Sequence, residues 1–286
     1  MIKKDTQGVT FAKGFTAAGV KAGIKKSGNL DVAVIYTKTQ AVVAGTFTQN
    51  KVAAAPVYVS KEVVATGTAH AIVANAGCAN ACTGQQGLDD AHKMAQIAAD
   101  ELGVNADDVI VGSTGVIGVN LPMDKLEAGI KDAVANLSAD GSDNAGRAII
   151  TTDTHSKSVT CEFELSGKTV RMGAIAKGSG MIRPNMATML CYITTDIAID
   201  QALLQKAVSG CVEKSFNMIS VDGDMSTNDM VIVLANGEAN NAKITEENAD
   251  YQIFFDKLMM LCTELAKQIA ADGEGASKFL TINVKG

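Results

Sequence analysis

The sequence predicts an α/β fold built on a mixed sheet rather than a purely parallel one. Three observations carry this. Nine short apolar runs read as strands and four longer stretches carry helical spacing, yet the two kinds do not alternate strictly. Two of the runs, 158–165 and 169–175, are separated only by Ser166-Gly167-Lys168, a hairpin junction. Hydrophobic residues make up 47% of 286 positions while aromatics make up 4% and Trp is absent, so the core must be aliphatic. A chain of this length holds one large domain or two ordinary ones.

The strand-like runs fall at 31–37, 41–48, 70–75, 109–112, 158–165, 169–175, 189–195, 230–235 and 279–284. The first helix is expected over 88–102, where Ala91, Met94, Ile97, Ala98 and Leu102 share a face. A second begins near Pro122, with Leu126, Ile130, Val134 and Leu137 as its stripe and Gly141 beyond its end. Asp200 stands where it would cap a third, which carries Leu203, Leu204, Ala207 and Cys211. The longest periodic stretch is 246–271, with Ile253, Phe254, Leu258, Leu261, Leu265 and Ile269 on its buried face. No internal repeat or Pro-rich linker divides the chain.

The net charge of −6 and the lack of any basic run argue against nucleic-acid binding. No stretch approaches the length of apolar sequence needed to span a membrane, and residues 1–10 have neither a signal core nor a transit-peptide composition. Six scattered cysteines suit a reducing compartment, so a cytoplasmic protein is expected. Cys78 and Cys82 have no second Cys/His pair at zinc spacing, and His70, His92 and His155 share no metal spacing. Asp222-Gly223-Asp224 suggests calcium, but Thr227 and Val233 stand where an EF-hand needs Gly and Glu. It is read as a structural turn or a precise loop near the site, and no metal or cofactor is expected.

The densest chemical signal is KGSGMIRPNMATML, residues 177–190. Two glycines, a proline and an asparagine demand an irregular turn, and an apolar strand follows at once. Ala187-Thr188 is the junction. If that bond were cut, Thr188 would hold a hydroxyl nucleophile beside its own α-amino base. The amine's ordinary pKa, near 8, suits proton abstraction at neutral pH. Thr114-Gly115, in VGSTGVIG after the run at 109–112, could aim N–H and hydroxyl donors at a developing oxyanion. The same segment also reads as a plain glycine turn. It lacks the ending of a phosphate loop.

Together with NAGCANACTG (75–84), TTDT (151–154), SVDGDMSTND (220–229) and DGEGASK (272–278), these segments resemble the ornithine acetyltransferase, or glutamate N-acetyltransferase, family over essentially the whole chain. The resemblance implies an αββα-type sandwich, with stacked sheets flanked by helices. It implies self-cleavage between Ala187 and Thr188, giving an N-terminal segment 1–187 and a C-terminal segment starting at 188. The two kinds of chain would assemble as a heterotetramer, two of each. Thr188 would then be the nucleophile, with Thr114 and Gly115 forming the oxyanion hole. Thr151, Lys177, Thr188 and Glu274 would bind substrate. The reaction implied is ping-pong transfer of acetyl from N2-acetyl-L-ornithine to L-glutamate in arginine biosynthesis, with acetyl-CoA as a further possible donor.

Members of that family continue past the point corresponding to Gly286, so the segment from 188 is expected to be truncated. Two other readings follow from the sequence. One is a self-processed amidohydrolase or aminopeptidase with water as acceptor. The other is a truncated, non-catalytic subunit. Replacing Gly115 by a β-branched residue is expected to slow the chemistry and leave the fold intact.

Overall fold

A single long strand, β3 (Val32–Phe47), organises the molecule. The computed structural model describes residues 2–183 and 189–284. Before β3 lie β1 (Ile2–Lys4) and β2 (Phe15–Val20). After it come α1 (Ala55–Thr66), β4 (Thr68–Cys78), α2 (Gly84–Leu102), β5 (Val109–Val116), α3 (Met123–Ala135) and α4 (Ser142–Ile149). The remaining elements are β6 (Lys157–Leu165), β7 (Lys168–Lys177), β8 (Leu190–Thr195), α5 (Gln201–Glu213), β9 (Met230–Ala235) and α6 (Ala249–Ala271).

Among the described residues the strands form one hydrogen-bonded sheet in the order β1-β6-β7-β8-β9-β3-β4-β5, with β2 added on β3. The β4–β5 and β8–β9 pairs are parallel and the others antiparallel, so the sheet is mixed as expected. The first half of β3 pairs with β2 and β4 and its second half with β9, across a register shift between Tyr36 and Ala41. A bulge bends and twists a strand. β3 therefore belongs to both halves of the sheet, and the halves stack face to face.

Strand alternation sorts the core into three layers. Ile35 and Ile72 from one half meet Leu190, Tyr192, Ile232 and Leu234 from the other in the middle layer. The alternate residues Val32, Val34, Val73 and Val111 face α2 and α3. Cys191, Ile193, Val231 and Val233 face α5 and α6. This is an αββα arrangement whose two sheets are continuous through one strand.

The runs at 31–37 and 41–48 are thus one strand rather than two. The run at 279–284 is not a strand: it joins no sheet, and Leu280, Ile282 and Val284 are exposed. Alternating apolarity makes a strand only where a paired neighbour takes up its N–H and C=O groups, and none of the described strands lies alongside it. The 158–165/169–175 hairpin forms with register Leu165↔Lys168. Its turn residues Ser166 and Gly167 both have positive φ, 46° and 78°, as the tight turn between twisted strands requires. Asp200 occupies the N-cap of α5, but its side chain makes no cap bond and pairs instead with Lys243.

Candidate active site

At one end of the sandwich a cleft of about 700 Å³ opens between the two halves of the sheet. The ends of β4 and β5 line one side and the end of β7 lines another. The loop before β9, the segment 24–27 and the turn after α6 complete it. Thr114, Gly115, Thr151, Lys177 and Glu274, drawn from four separate stretches of sequence, all line this cleft. Ala187 and Thr188 lie outside the described residues. Their chain neighbour Met189 is fixed: its N–H donates to Asp229 Oδ1 at 2.9 Å and its carbonyl accepts from the Met230 N–H at 3.1 Å.

Thr114 and Gly115 sit within the end of β5 rather than in a turn after it. Opposite them, β4 breaks register at Gly77/Cys78. Such a break interrupts the regular ladder, the usual way a strand frees backbone donors beside a site. Gly115 has φ +131°, and a Cβ there would lie 2.4 Å from the Gly77 carbonyl carbon. This corrects the expectation that a β-branched residue at 115 would leave the fold intact, because the side chain would separate β4 from β5.

Lys177 is buried, and its Nζ donates to Thr114 Oγ1 at 3.4 Å. An ammonium has donors only, so the threonine oxygen accepts and its own proton is left to point elsewhere. Burial pulls the Lys177 pKa below the ordinary lysine value, against the opposing pull of Asp153 and Asp229. Lys25, on the cleft wall, is lowered to about 8, first by its own burial. Its Nζ is spent on the Leu30 and Ala148 carbonyls at 2.5 and 3.1 Å. Glu274 faces the glycine turn after Lys177: a Cβ on Gly180 would fall 2.5 Å from the Glu274 carboxyl carbon.

Beneath the cleft lies a cluster of buried charge. Asp153 Oδ1 accepts from the Gly178 N–H at 2.6 Å and from Lys157 Nζ at 2.7 Å, and its Oδ2 accepts from the Thr151 N–H at 3.1 Å. Lys157 also donates to Asp272 Oδ2 at 2.6 Å. Burial alone would raise the Asp153 carboxyl, but Lys177, Lys157 and the Gly178 N–H together hold it below the ordinary carboxylate value. Asp229 is in the opposite condition. Burial pushes its carboxyl well above that value despite the Met189 N–H and Lys177. The Ser226 hydroxyl lies close, but Asp229 Oδ2 has no hydrogen-bond partner of good geometry among the described residues. Asn228, next to it, donates to the Ala79 and Ser113 carbonyls at 2.6 and 2.9 Å and so ties the loop before β9 to β4 and β5.

The profile of the ArgJ family matches residues 16–286. The chain belongs to the ArgJ family. It is 52% identical over 281 residues to the arginine biosynthesis bifunctional protein ArgJ of Symbiobacterium thermophilum, covering 98% of this chain and 70% of that protein. Among solved structures it resembles the ornithine acetyltransferase of Mycobacterium tuberculosis, determined in complex with ornithine. That likeness has a TM-score of 0.60 at 42% identity, over 64% of this chain and 98% of that one. It shares its fold alone with the L-aminopeptidase D-Ala-esterase/amidase of Ochrobactrum anthropi, described as a variant of the Ntn hydrolase fold. There the TM-score is 0.55 at 10% identity, over 94% of this chain and 86% of that one.

Within this ArgJ-family chain, the sequence reading missed Asp153, Lys157, Asn228, Asp229 and Asp272. Four of the five lie inside or at the edge of the quoted segments TTDT, SVDGDMSTND and DGEGASK, so the segments were visible although these residues' parts in them were not. Lys157 had no signal beyond standing at the head of a strand run. The Asp222-Gly223-Asp224 segment is a turn on the cleft wall: Asp222 and Asp224 line the cleft, and Asp222 accepts from the N–H groups of Met181, Ile182 and Asp224 at 2.5, 2.8 and 3.2 Å. Among the described residues no cluster of His, Cys, Asp and Glu could hold a metal ion, and no helix is long and apolar enough to cross a membrane.

Proposed function

We propose that this protein transfers an acetyl group from N2-acetyl-L-ornithine to L-glutamate through an acetyl ester on Thr188. The observation that carries the reading is the convergence of Thr114, Gly115, Thr151, Lys177 and Glu274 on one cleft, beside the anchored neighbour of Thr188. Scission of the Ala187–Thr188 bond would divide the chain into 1–187 and 188–286 and free the α-amine of Thr188. The share of this chain matched by the M. tuberculosis ornithine acetyltransferase chain, 64%, is close to the share that precedes residue 188 and supports that division. The two products would remain together, in a heterotetramer of two copies of each, in the cytoplasm.

The chemistry follows from the groups available. Thr188 Oγ attacks the acetyl carbonyl while its proton passes to the α-amine. The oxyanion accepts from the Thr114 hydroxyl, whose proton the Lys177 contact leaves free, and from backbone N–H at Gly115. Ornithine departs with the proton, and the glutamate amine then attacks the acetyl-Thr188 ester by the same route in reverse. Thr151, Lys177 and Glu274 hold the two amino acids. Acetyl-CoA would acylate Thr188 through the same oxyanion site.

The test is direct. Purified wild type is expected as two polypeptides on a denaturing gel, and Thr188→Ala as one inactive chain. Thr188→Ser is expected to retain part of both scission and transfer. Complete processing of Thr188→Ala would sink the mechanism. Folded Thr114→Ala is expected to transfer acetyl roughly 10²–10³ times more slowly, the usual cost of one oxyanion donor. Release of free acetate without acetyl-glutamate would favour a hydrolase instead.

A further inference from the structure

We propose that Lys157 is a positioning residue for the substrate-binding side of the cleft. Held between Asp153 and Asp272, its buried ammonium sets Thr151, Lys177 and Glu274 in register. The proposal rests on the reading of the cleft as an acetyl-transfer site.

Lys157 is fully buried at the head of β6, and its Nζ donates to Asp153 Oδ1 at 2.7 Å, Asp272 Oδ2 at 2.6 Å and the His155 carbonyl at 3.4 Å. Three acceptors use all three N–H groups of an ammonium. None remains for a substrate, so Lys157 acts through its partners.

Those partners reach three of the site segments. Asp153 receives the Thr151 N–H and the Gly178 N–H, and Gly178 directly follows Lys177. Asp272 receives the Thr154 N–H at 3.1 Å and the Thr154 hydroxyl. The Ser179 hydroxyl donates to the Asp272 carbonyl at 2.6 Å, and the Glu274 N–H donates to the Ser179 carbonyl at 2.9 Å. Residues near 151, 177 and 274 are far apart in sequence and belong to no common element. This one network links them. A buried ion cluster is weak evidence for stability, because well-packed apolar residues of similar volume often do as well. What apolar packing cannot supply is the directional hold on the Thr151 and Gly178 amides. Displacement of binding groups by an ångström is enough to cost catalysis dearly.

The test uses Lys157→Met in the full chain with two readouts. The first, amide hydrogen exchange, does not depend on the reaction. The Thr151, Gly178 and Glu274 amides are expected to lose protection together, while the β8–β9 ladder keeps its protection. The second is steady-state acetyl transfer, where KM for N-acetylornithine and glutamate is expected to rise roughly tenfold with a smaller change in kcat, the mark of lost binding geometry. If folded Lys157→Met keeps all three amides protected, or binds both substrates as wild type does, the proposal is overturned. Uniform loss of protection throughout the chain would also overturn it, by showing only a stability role.

Should Lys157→Met not fold, Asp272→Asn takes its place. It leaves the Lys157–Asp153 contact, so it is expected to loosen the Glu274 amide while the Gly178 amide holds. Equal behaviour of the two amides would refute the linkage. If wild type transfers no acetyl group, the reading of the site fails, and the exchange experiment still decides whether Lys157 registers the three segments.

Discussion

Asp153 and Asp229 are both buried beside the same cleft, yet their charges are managed in opposite ways. Asp153 receives an ammonium at 2.7 Å and two backbone N–H groups, and its carboxyl is held low. Among the described residues Asp229 receives one backbone N–H at 2.9 Å, with the Ser226 hydroxyl close by, and is pushed high. Both feel the same buried Lys177. What differs is the number of direct donors set against the cost of taking a carboxylate out of water. Asp153 behaves as an anion that fixes backbone. Asp229 behaves as a carboxyl group that folding drives toward its neutral form while it accepts the N–H of the anchored Met189.

The contrast breaks most visibly if Lys157 is removed. Lys157→Met leaves Asp153 and Asp272 buried together without their shared cation, and stability is expected to fall by about 3–5 kcal/mol at pH 7. Urea unfolding is best followed in a Thr188→Ala background, where the chain is expected to stay whole. A loss under 1 kcal/mol would mean that the two carboxyls find other partners, and that Asp153 and Asp229 are less different than their contacts imply.

The next effect is smaller. Asp153→Asn keeps the volume but gives up the anion that Lys157 and the Gly178 N–H address, with an expected loss of roughly 1.5–3 kcal/mol at pH 7, the range for hydrogen bonds to charged groups. Its pH dependence has a definite sign. The folded Asp153 carboxyl lies below its unfolded value of 3.8, so its contribution is full above that pH and disappears as pH falls through the folded value. The Asp153→Asn penalty should therefore stay level from pH 7 down to about 4 and shrink below it. The groups acting on Asp153 in this range are Lys157 and Lys177, with Lys25 coupled more weakly and Asp272 sharing Lys157. A penalty that grew on acidification would reverse the assignment.

How much of this was legible in the sequence follows from the same chemistry. The mixed sheet, the 158–165/169–175 hairpin and β9 were readable because turn residues, alternating apolarity and, for β9, an unbroken apolar run are local signals. The α1 helix was not: its run VYVSKEVV is rich in β-branched residues, and the helix is set by Pro56 in its first turn and Gly67 in the left-handed region after its end. α4 carries Ser, Asp, Asn and Gly, poor helix formers, and is held by packing on β2 and β3. The site segments stood out because glycine and small polar residues cluster there. Lys157 and Asp272 did not, since a single Lys or Asp reads as a surface residue until the fold puts three acceptors around its ammonium or an ammonium against its carboxylate. The run at 279–284 marks the reverse failure: its apolar pattern resembles that of a strand, but among the described residues no strand pairs with it.

The smallest effect gives the sharpest test of the comparison, because it concerns sign rather than size. Asp229→Asn keeps an oxygen for the Met189 N–H and gives up a carboxyl that burial already disfavours as an anion. Stability at pH 7 is expected to change by less than about 1 kcal/mol, in either direction. The pH profile carries the information. A carboxyl raised on folding contributes stability that is present below its unfolded value of 3.8 and is lost as pH rises toward the folded value. The asparagine does not titrate, so Asp229→Asn should gain on its parent as pH climbs from 4 to neutrality, a range over which Asp153→Asn stays level. Urea midpoints of both variants and their Thr188→Ala parent, taken at half-unit steps from pH 3.5 to 7.5, would show the Asp229→Asn difference curve climbing with pH while the Asp153→Asn curve stays level above about pH 4. Parallel curves would mean that Asp229 is an ordinary buried anion whose second oxygen has found a donor, and the distinction between the two carboxylates would be lost.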